Sequence, residues 1–401
     1  MQLEIKNFRS IQGQTVDLAP ITVVYGPNGA GKSSLLYSLL TLKNVILNSN
    51  QASSGFFNFV FASLGAFEAV VFSHIQSNIE LSLTVETQGL TIRHGVSFNE
   101  KQGTFRLAAS DASGLDFSAE LAAVPFPYPA NQQSPIALSY EGQAVTLTWN
   151  GITAQVQAAQ LTPEAIQTGT RLAAYLNAPA EVLRKVGVVP LKRGFSKPFY
   201  QTQPLSSMLV NEEEVATFIS QDKYLISKVS FYLEKILERD FRVNVQPGTA
   251  IFSLDATDKK TGIASELVND GFGVNQMVYF LAKALNKEAE WTCVEEPEIH
   301  LHPSAVRRFA RTLADMVIDE DKRFLVSTHS EPFVSALLSL IAENKVNPKQ
   351  VAFYFTHKEG RKTEFELQRV HPNGQIEGGL KEFIEGEMED LKHLLRPTHN
   401  S

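Results

Sequence analysis

The stretch ITVVYGPNGAGKSSLLYSLL, Ile21 to Leu40, constrains this chain more than any other. Ile21 to Tyr25 read as a buried strand, Gly26 to Gly31 as a glycine-rich loop, and Leu35, Leu36, Leu39 and Leu40 recur at helical spacing behind Lys32 and Ser33. This is G-x-x-x-x-G-K-S between a strand and a helix. In that context backbone N–H groups wrap phosphates, the helix N-terminus adds partial positive charge, the lysine reaches the β- and γ-phosphates and the serine hydroxyl ligates Mg²⁺. Gly26, Asn28, Gly29, Ala30, Gly31, Lys32, Ser33 and Ser34 are therefore the expected contacts of ATP or GTP, with Ser33 on the metal.

A P-loop needs a second, acidic strand end to hold the metal and aim a water. WTCVEEPEIHLHP, Trp291 to Pro303, supplies one: a short apolar strand, then Glu295 at the metal-associated position and Glu296 where a carboxylate can orient attacking water. The C-terminal end of this strand is expected beside the P-loop in a parallel sheet, where ligands collect. Pro297 ends the strand, and Pro303 opens a helix whose core face reads Val306, Phe309, Leu313 and Met316. The rival reading is a transition-metal site on His300, His302 and the glutamates. It lacks a third fixed ligand in sequence, so both histidines are expected to brace the turn.

Two further segments repeat the logic. In KRFLVSTHSEPFVSALL, Phe324 to Val326 is a strand, Ser330 caps a helix starting near Pro332, and His329 stands at the strand end where a γ-phosphate can be sensed. In NDGFGVNQMVYFLAKALNK, Gly271 and Gly273 precede Val274, Met277, Leu281 and Leu285 on one helix face, so the glycines are expected to expose N–H donors at a helix N-terminus.

Taken together, GPNGAGKSS, DGFGVNQ, VEEPEIHLHP and VSTHSEP resemble the ABC-type ATPases related to RecF and SMC proteins, in the AAA branch that includes OLD-family ATPases. IKNFRSI and SLGAFEAVVFSHIQSNIELSL extend the resemblance over most of the chain. It implies an α/β P-loop NTPase fold of the ABC-ATPase head kind, with ATP and Mg²⁺ held between the P-loop of one subunit and the glycine-rich helix start of another in a homodimer or higher oligomer. On the matching positions it implies that Lys32 and Ser33 bind triphosphate and Mg²⁺, Glu295 is the acid near the metal, Glu296 and His329 are catalytic, and Arg9 lies near the nucleotide. Glu295 stands where aspartate is commoner. The Ser-Gly-Gly-Gln of transporters is missing, leaving the contact in trans to Gly271, Gly273 and Asn275. Gln51 and Gln76 are the candidates for a metal-sensing glutamine.

Between the P-loop and the acidic strand the pattern is largely β. Ile79, Leu81, Leu83 and Val85 alternate with polar residues, and Val145, Leu147 and Trp149 lead through Asn150-Gly151 to Ile152, Ala154 and Val156, a hairpin signal. Pro125, Pro127 and Pro129 mark an irregular loop. One helical segment is expected from about Glu212 to Leu237, far too short for SMC arms. After His329, Val351, Phe353 and Phe355 read as a strand with GRKTEFELQRV as its hairpin partner. The expected division is an N-terminal ATPase lobe over 1–77, an antiparallel β insertion over 78–160, a helical linking insertion over 161–260 and a C-terminal ATPase lobe over 261–401.

Composition narrows the setting. With 36 basic and 43 acidic residues the net charge is −7, which argues against binding nucleic acid through bulk charge. A local site remains compatible with DNA, and LRKVGVVPLKRGFSKPFY offers Arg184, Lys185, Lys192, Arg193 and Lys197 among Phe195, Phe199 and Tyr200. Cys293 is the only cysteine, the start shows no long apolar signal region, and the apolar window Phe56 to Phe72 is too interrupted to span a bilayer. A cytoplasmic protein without membrane association is expected. No acidic cluster of the Toprim nuclease type follows residue 351, so the resemblance implies an ATPase that controls a separate protein effector, such as a nuclease, in antiphage defence or DNA repair. The competing classes are a non-hydrolysing nucleotide-gated scaffold and, more remotely, a transporter motor.

Overall fold

The computed structural model describes residues 1–59, 61–74, 77–159, 161–206, 209 and 211–380. Its centre is a six-stranded sheet in the order Val186–Val189, Trp291–Glu295, Arg323–Thr328, Ile21–Tyr25, Val351–Glu359, Lys362–Gln368. The first five strands run parallel, and the last pairs antiparallel as the expected hairpin partner. Successive side chains of a strand face opposite ways, and here both faces are apolar. Cys293, Leu325, Val24 and Tyr354 enter one core, while Val294, Val326, Val23 and Phe353 enter the other.

Helix Lys32–Leu47 covers the first core, together with an antiparallel sheet ordered Ile11–Asp17, Gln2–Phe8, Ile79–Thr87, Leu90–Phe98, Gln102–Asp111, Asp116–Pro125. Helices Lys223–Leu237, Phe272–Ala284, Pro303–Asp319 and Glu331–Ala342 cover the second. The result is an α/β P-loop architecture with an antiparallel β lobe. No helix among the described residues is long and apolar enough to cross a membrane.

Several expectations need correcting. Trp291–Glu295 is not the neighbour of the P-loop strand: Arg323–Thr328 lies between them, so the acidic end is one strand further out. Gln2–Phe8 pairs with Ile79–Thr87, and Val186–Val189 pairs with Trp291–Glu295, so strands cross the divisions drawn near residues 77 and 260. The segment Glu212 to Leu237 is two helices, Glu212–Gln221 and Lys223–Leu237. Asp222 separates them, its carboxylate accepting from the N–H groups of Tyr224 and Leu225, because an aspartate side chain offers the backbone a cap in place of continued helix. In the hairpin, Trp149 faces Ala154 and Leu147 faces Val156, but Ile152 belongs to a four-residue loop organised by the Asn150 side chain.

Candidate functional site

The cavity at the C-terminal edge of the parallel sheet, about 680 Å³, is lined by Arg9, Asn28, Gly29, Gly31, Lys32, Ser33, Ser34, Glu296 and His329, which sequence reasoning had singled out. Gly26 (φ 144°), Gly29 (φ 74°) and Gly31 (φ 109°) all adopt conformations that favour glycine. At two of them space is the second demand. A Cβ on Gly26 would fall 2.1 Å from Thr356 O, and one on Gly31 would fall 2.3 Å from Thr363 Oγ1. The hairpin Val351–Glu359/Lys362–Gln368 is thus the wall of the loop. Thr363 completes it, its hydroxyl donating to Ala30 O at 2.7 Å and lying 2.7 Å from Ser10 Oγ.

Lys32 is 6% exposed. Its ammonium donates to Gly26 O at 2.8 Å and Pro27 O at 2.9 Å, reaching back over its own loop. It also lies 3.5 Å from His329 Nδ1. On the other side of the ring, His329 Nε2 is 3.5 Å from Glu296 Oε1. An ammonium beside Nδ1 and a carboxylate beside Nε2 assign the proton of the neutral ring to Nε2. Burial and the Lys32 charge push the imidazole pKa down, with Glu296 opposing, which agrees with a neutral ring.

Glu298, unremarked in the sequence, fixes His329 from behind: its Oε1 accepts from Thr328 Oγ1 at 2.5 Å and from the His329 N–H at 3.0 Å. Burial raises the Glu298 pKa, and these hydrogen bonds oppose the shift. Glu296 itself sits at φ 41°, a left-handed conformation that costs a non-glycine residue about 1–3 kcal/mol.

Glu295, 8% exposed, accepts a hydrogen bond from Tyr37 OH at 2.9 Å on Oε2. Burial, then the Glu295 charge, hold the Tyr37 hydroxyl protonated far above its ordinary range. The Arg9 guanidinium lies over the Tyr37 ring, 5.3 Å from its centroid, and burial lowers its pKa. Its Nη1 is buried with no partner among the described residues. The loop amides, Arg9 and Lys32 form a donor set for a polyphosphate, and a hydroxyl (Ser33) and a carboxylate (Glu295) near them are hard-oxygen donors of the kind Mg²⁺ takes.

The remaining predicted residues divide. Gly271 and Gly273 do not line this cavity. The N–H of Gly271 is taken by Asp270 Oδ1 at 2.8 Å, so it is not a free donor. A Cβ on Gly273 would fall 2.8 Å from His300 O, so this glycine is needed for close packing inside the subunit. Asn275 is buried and spends its side chain on Phe195 and Leu267. Gln51 does not line the cavity, and Gln76 lies outside the described residues. His302 caps helix Pro303–Asp319, and His300 packs on Phe272 with ring centroids 5.4 Å apart, so both brace local structure. Among the described residues no group of three or more His, Cys, Asp or Glu is arranged to hold a metal.

The basic stretch is largely committed elsewhere. Arg184 pairs with Glu181, Lys185 with Glu290 and Lys197 with Glu213, while Phe195 and Tyr200 are buried and Arg193 turns inward. Sequence reasoning also missed cavity residues. Ser10, Ala69, Val71, Phe72, Ser73, His74, Lys358 and Arg361 complete the lining. The cations at the hairpin turn had a local signal, a basic pair flanking Glu359-Gly360, but nothing local says that the turn folds over the P-loop.

The AAA domain family model matches residues 2–53, and the AAA ATPase domain model matches residues 196–334. The OLD nuclease of Thermus scotoductus is 25% identical over 352 residues, covering 83% of this chain. The chain spans 59% of the length of that relative. Among solved structures, the SMC head domain from Thermotoga maritima is 11% identical, with 92% of this chain and 98% of that one covered at a TM-score of 0.43. The Smc head domain from Pyrococcus furiosus bound to the C-terminal domain of ScpA is 10% identical, with 98% and 99% covered at 0.47. The AAA ATPase match lies over the segment that carries Glu295 and Glu296, and the OLD-type relative aligns along most of this chain, so the chain is similar to AAA-type P-loop ATPases related to OLD, a likeness that supports ATP hydrolysis.

Proposed function

We propose that the chain hydrolyses ATP with Mg²⁺ in the cytoplasm, closing as an ATP-sandwich dimer that controls a separate protein effector. The observation that carries this is the line Lys32–His329–Glu296, at 3.5 Å for each step, across the mouth of a loop built to receive phosphates. Lys32 turns from its own loop carbonyls to the β- and γ-phosphates, and Arg9 supplies a second cation. Ser33 and Glu295 would hold the metal, which when bound would supply positive charge to the phosphate oxygens. Glu296 orients the attacking water, and the Nε2 proton of His329 steadies that carboxylate.

The partner subunit meets the exposed start of helix Phe272–Ala284. Phe272 is 73% exposed at its first turn, a large apolar side chain consistent with a covered face in the dimer. The effector is proposed to be a nuclease, since the relative carries that word in its name. The setting implied by the resemblance is antiphage defence or DNA repair. Glu296→Gln tests the core of the reading: ATP should still bind, an ATP-loaded dimer should accumulate on size exclusion, and hydrolysis should fall to a slow residual rate. Wild-type turnover in that variant would reject the assignment of Glu296 and make Glu295 the first suspect.

A further inference from the structure

We infer that Arg193 is the positioning residue for Glu296, its guanidinium holding the backbone turn from which that carboxylate projects. The inference rests on the role proposed above for Glu296 in hydrolysis.

Arg193 lies in the segment that leaves the edge strand Val186–Val189. Its Nη1 donates to Pro190 O at 3.1 Å and Glu295 O at 3.0 Å, and its Nη2 donates to Glu296 O at 2.9 Å. One planar fork thus joins its own loop to two successive carbonyls of a turn about a hundred positions away. Those carbonyls flank the residue whose backbone is left-handed. A non-glycine residue keeps such a conformation only where its surroundings over-determine it. Two backbone bonds contribute, Glu296 N–H to Ser327 O at 2.8 Å and Ile299 N–H to Glu296 O at 3.2 Å. Arg193 supplies two more, from a geometry that a lysine ammonium cannot reproduce because it is a point charge on a flexible stem.

The cation is partly buried, and no carboxylate pairs with it directly among the described residues. Burial lowers its pKa to about 10, opposed by the charges of Glu298, Glu296 and Glu295. An arginine spent on carbonyls, beside three acids, serves the shape of the turn.

The same short segment is anchored at its other end. The Phe195 N–H donates to Asn275 Oδ1 at 2.6 Å, and Asn275 Nδ2 donates back to Phe195 O at 2.8 Å. Asn275 stands in the first turns of helix Phe272–Ala284. Arg193 to Phe195 therefore straps the Glu296 turn to that helix, so displacement of one is felt by the other.

The test measures ATP affinity by calorimetry and single-turnover hydrolysis in the full chain for Arg193→Lys, Arg193→Gln, Glu296→Gln and the double variants. Both Arg193 variants should bind ATP within about threefold of wild type. Hydrolysis should fall about ten- to a hundredfold, as expected when a reacting group is misplaced by about 1 Å. Added to Glu296→Gln, either change should cause no further loss, because both act on one carboxylate. Multiplying losses in the double variants, wild-type hydrolysis by both single variants, or loss of ATP binding in both would each overturn the inference. Wild-type hydrolysis by Glu296→Gln would instead fail the functional reading beneath it.

Discussion

The Tyr37 hydroxyl donates to Glu295 Oε2 at 2.9 Å, joining the P-loop helix to a strand two places away in the sheet. The bond fixes one carboxylate oxygen, and in the proposed function Glu295 would use the other for the metal or its water. Outer-sphere hydrogen bonds of this kind are worth about 10–100-fold in metal affinity or activity. Tyr37→Phe should therefore raise the half-saturating Mg²⁺ concentration for ATP hydrolysis by that factor. An unchanged Mg²⁺ titration would mean that Glu295 is oriented by something else.

Lys32→Ala should lose ATP affinity and also destabilise the apo protein. Its ammonium is bonded to Gly26 O and Pro27 O, and leaving buried acceptors unsatisfied costs about 1–3 kcal/mol. Titration calorimetry with ATP and a thermal melt without it check the two parts. Undiminished ATP binding would sink the P-loop assignment, and an unshifted melt would show that the lysine is free in solution.

His329 should titrate below the ordinary histidine range, because burial and Lys32 disfavour the cation more than Glu296 favours it. Removing Glu296's charge deletes the only one of these influences that raises the value, so Glu296→Gln should move it further down, and Lys32→Met should move it up. Folded-state depression makes the unfolded chain bind the proton more readily, so this contribution to stability is complete above the unfolded value near 6.5 and declines as pH falls through it. Carbon-edited NMR of the ring proton follows all three proteins. Opposite signs in the two variants would contradict the arrangement around the ring.

The two glycines at the helix start should behave differently. Gly271 has open space around a built Cβ, whereas Gly273 would meet His300 O. Gly271→Ala should leave the melting curve unchanged, and Gly273→Ala should destabilise by about 1–3 kcal/mol, the usual cost of overpacking. Gly271→Glu is then the clean probe of the proposed dimer. It should bind ATP without turnover, and mixing it with Lys32→Ala subunits should restore one intact interface and part of the activity. Full activity of Gly271→Glu alone would refute the contact in trans.

The parts of this site that sequence revealed are those with local chemistry. The P-loop lies between its strand and helix, Glu295 ends a strand with Glu296 directly after it, Ser330 caps its helix, and the hairpin through Asn150 forms. What remained hidden depends on contacts between distant segments. Strand order set by packing put Arg323–Thr328 between the P-loop strand and Trp291–Glu295. Arg193 read as a surface cation because its sequence neighbours are basic, yet its partners are carbonyls near residue 295. Nothing near Tyr37 in sequence announces that its hydroxyl meets Glu295, 258 positions away.

The wall formed by Thr363 also dictates when the site can come into being. Thr363 N–H donates to Ser10 O at 2.7 Å and its hydroxyl meets Ala30 O, uniting residues more than three hundred positions apart. During synthesis the P-loop emerges more than three hundred residues before the hairpin and stays without that wall until the hairpin has left the ribosome. Such long-range closure is slow. Nascent chains released before residue 368 should hence carry the whole glycine-rich motif yet lack a finished pocket, which delays triphosphate capture until the hairpin has been made.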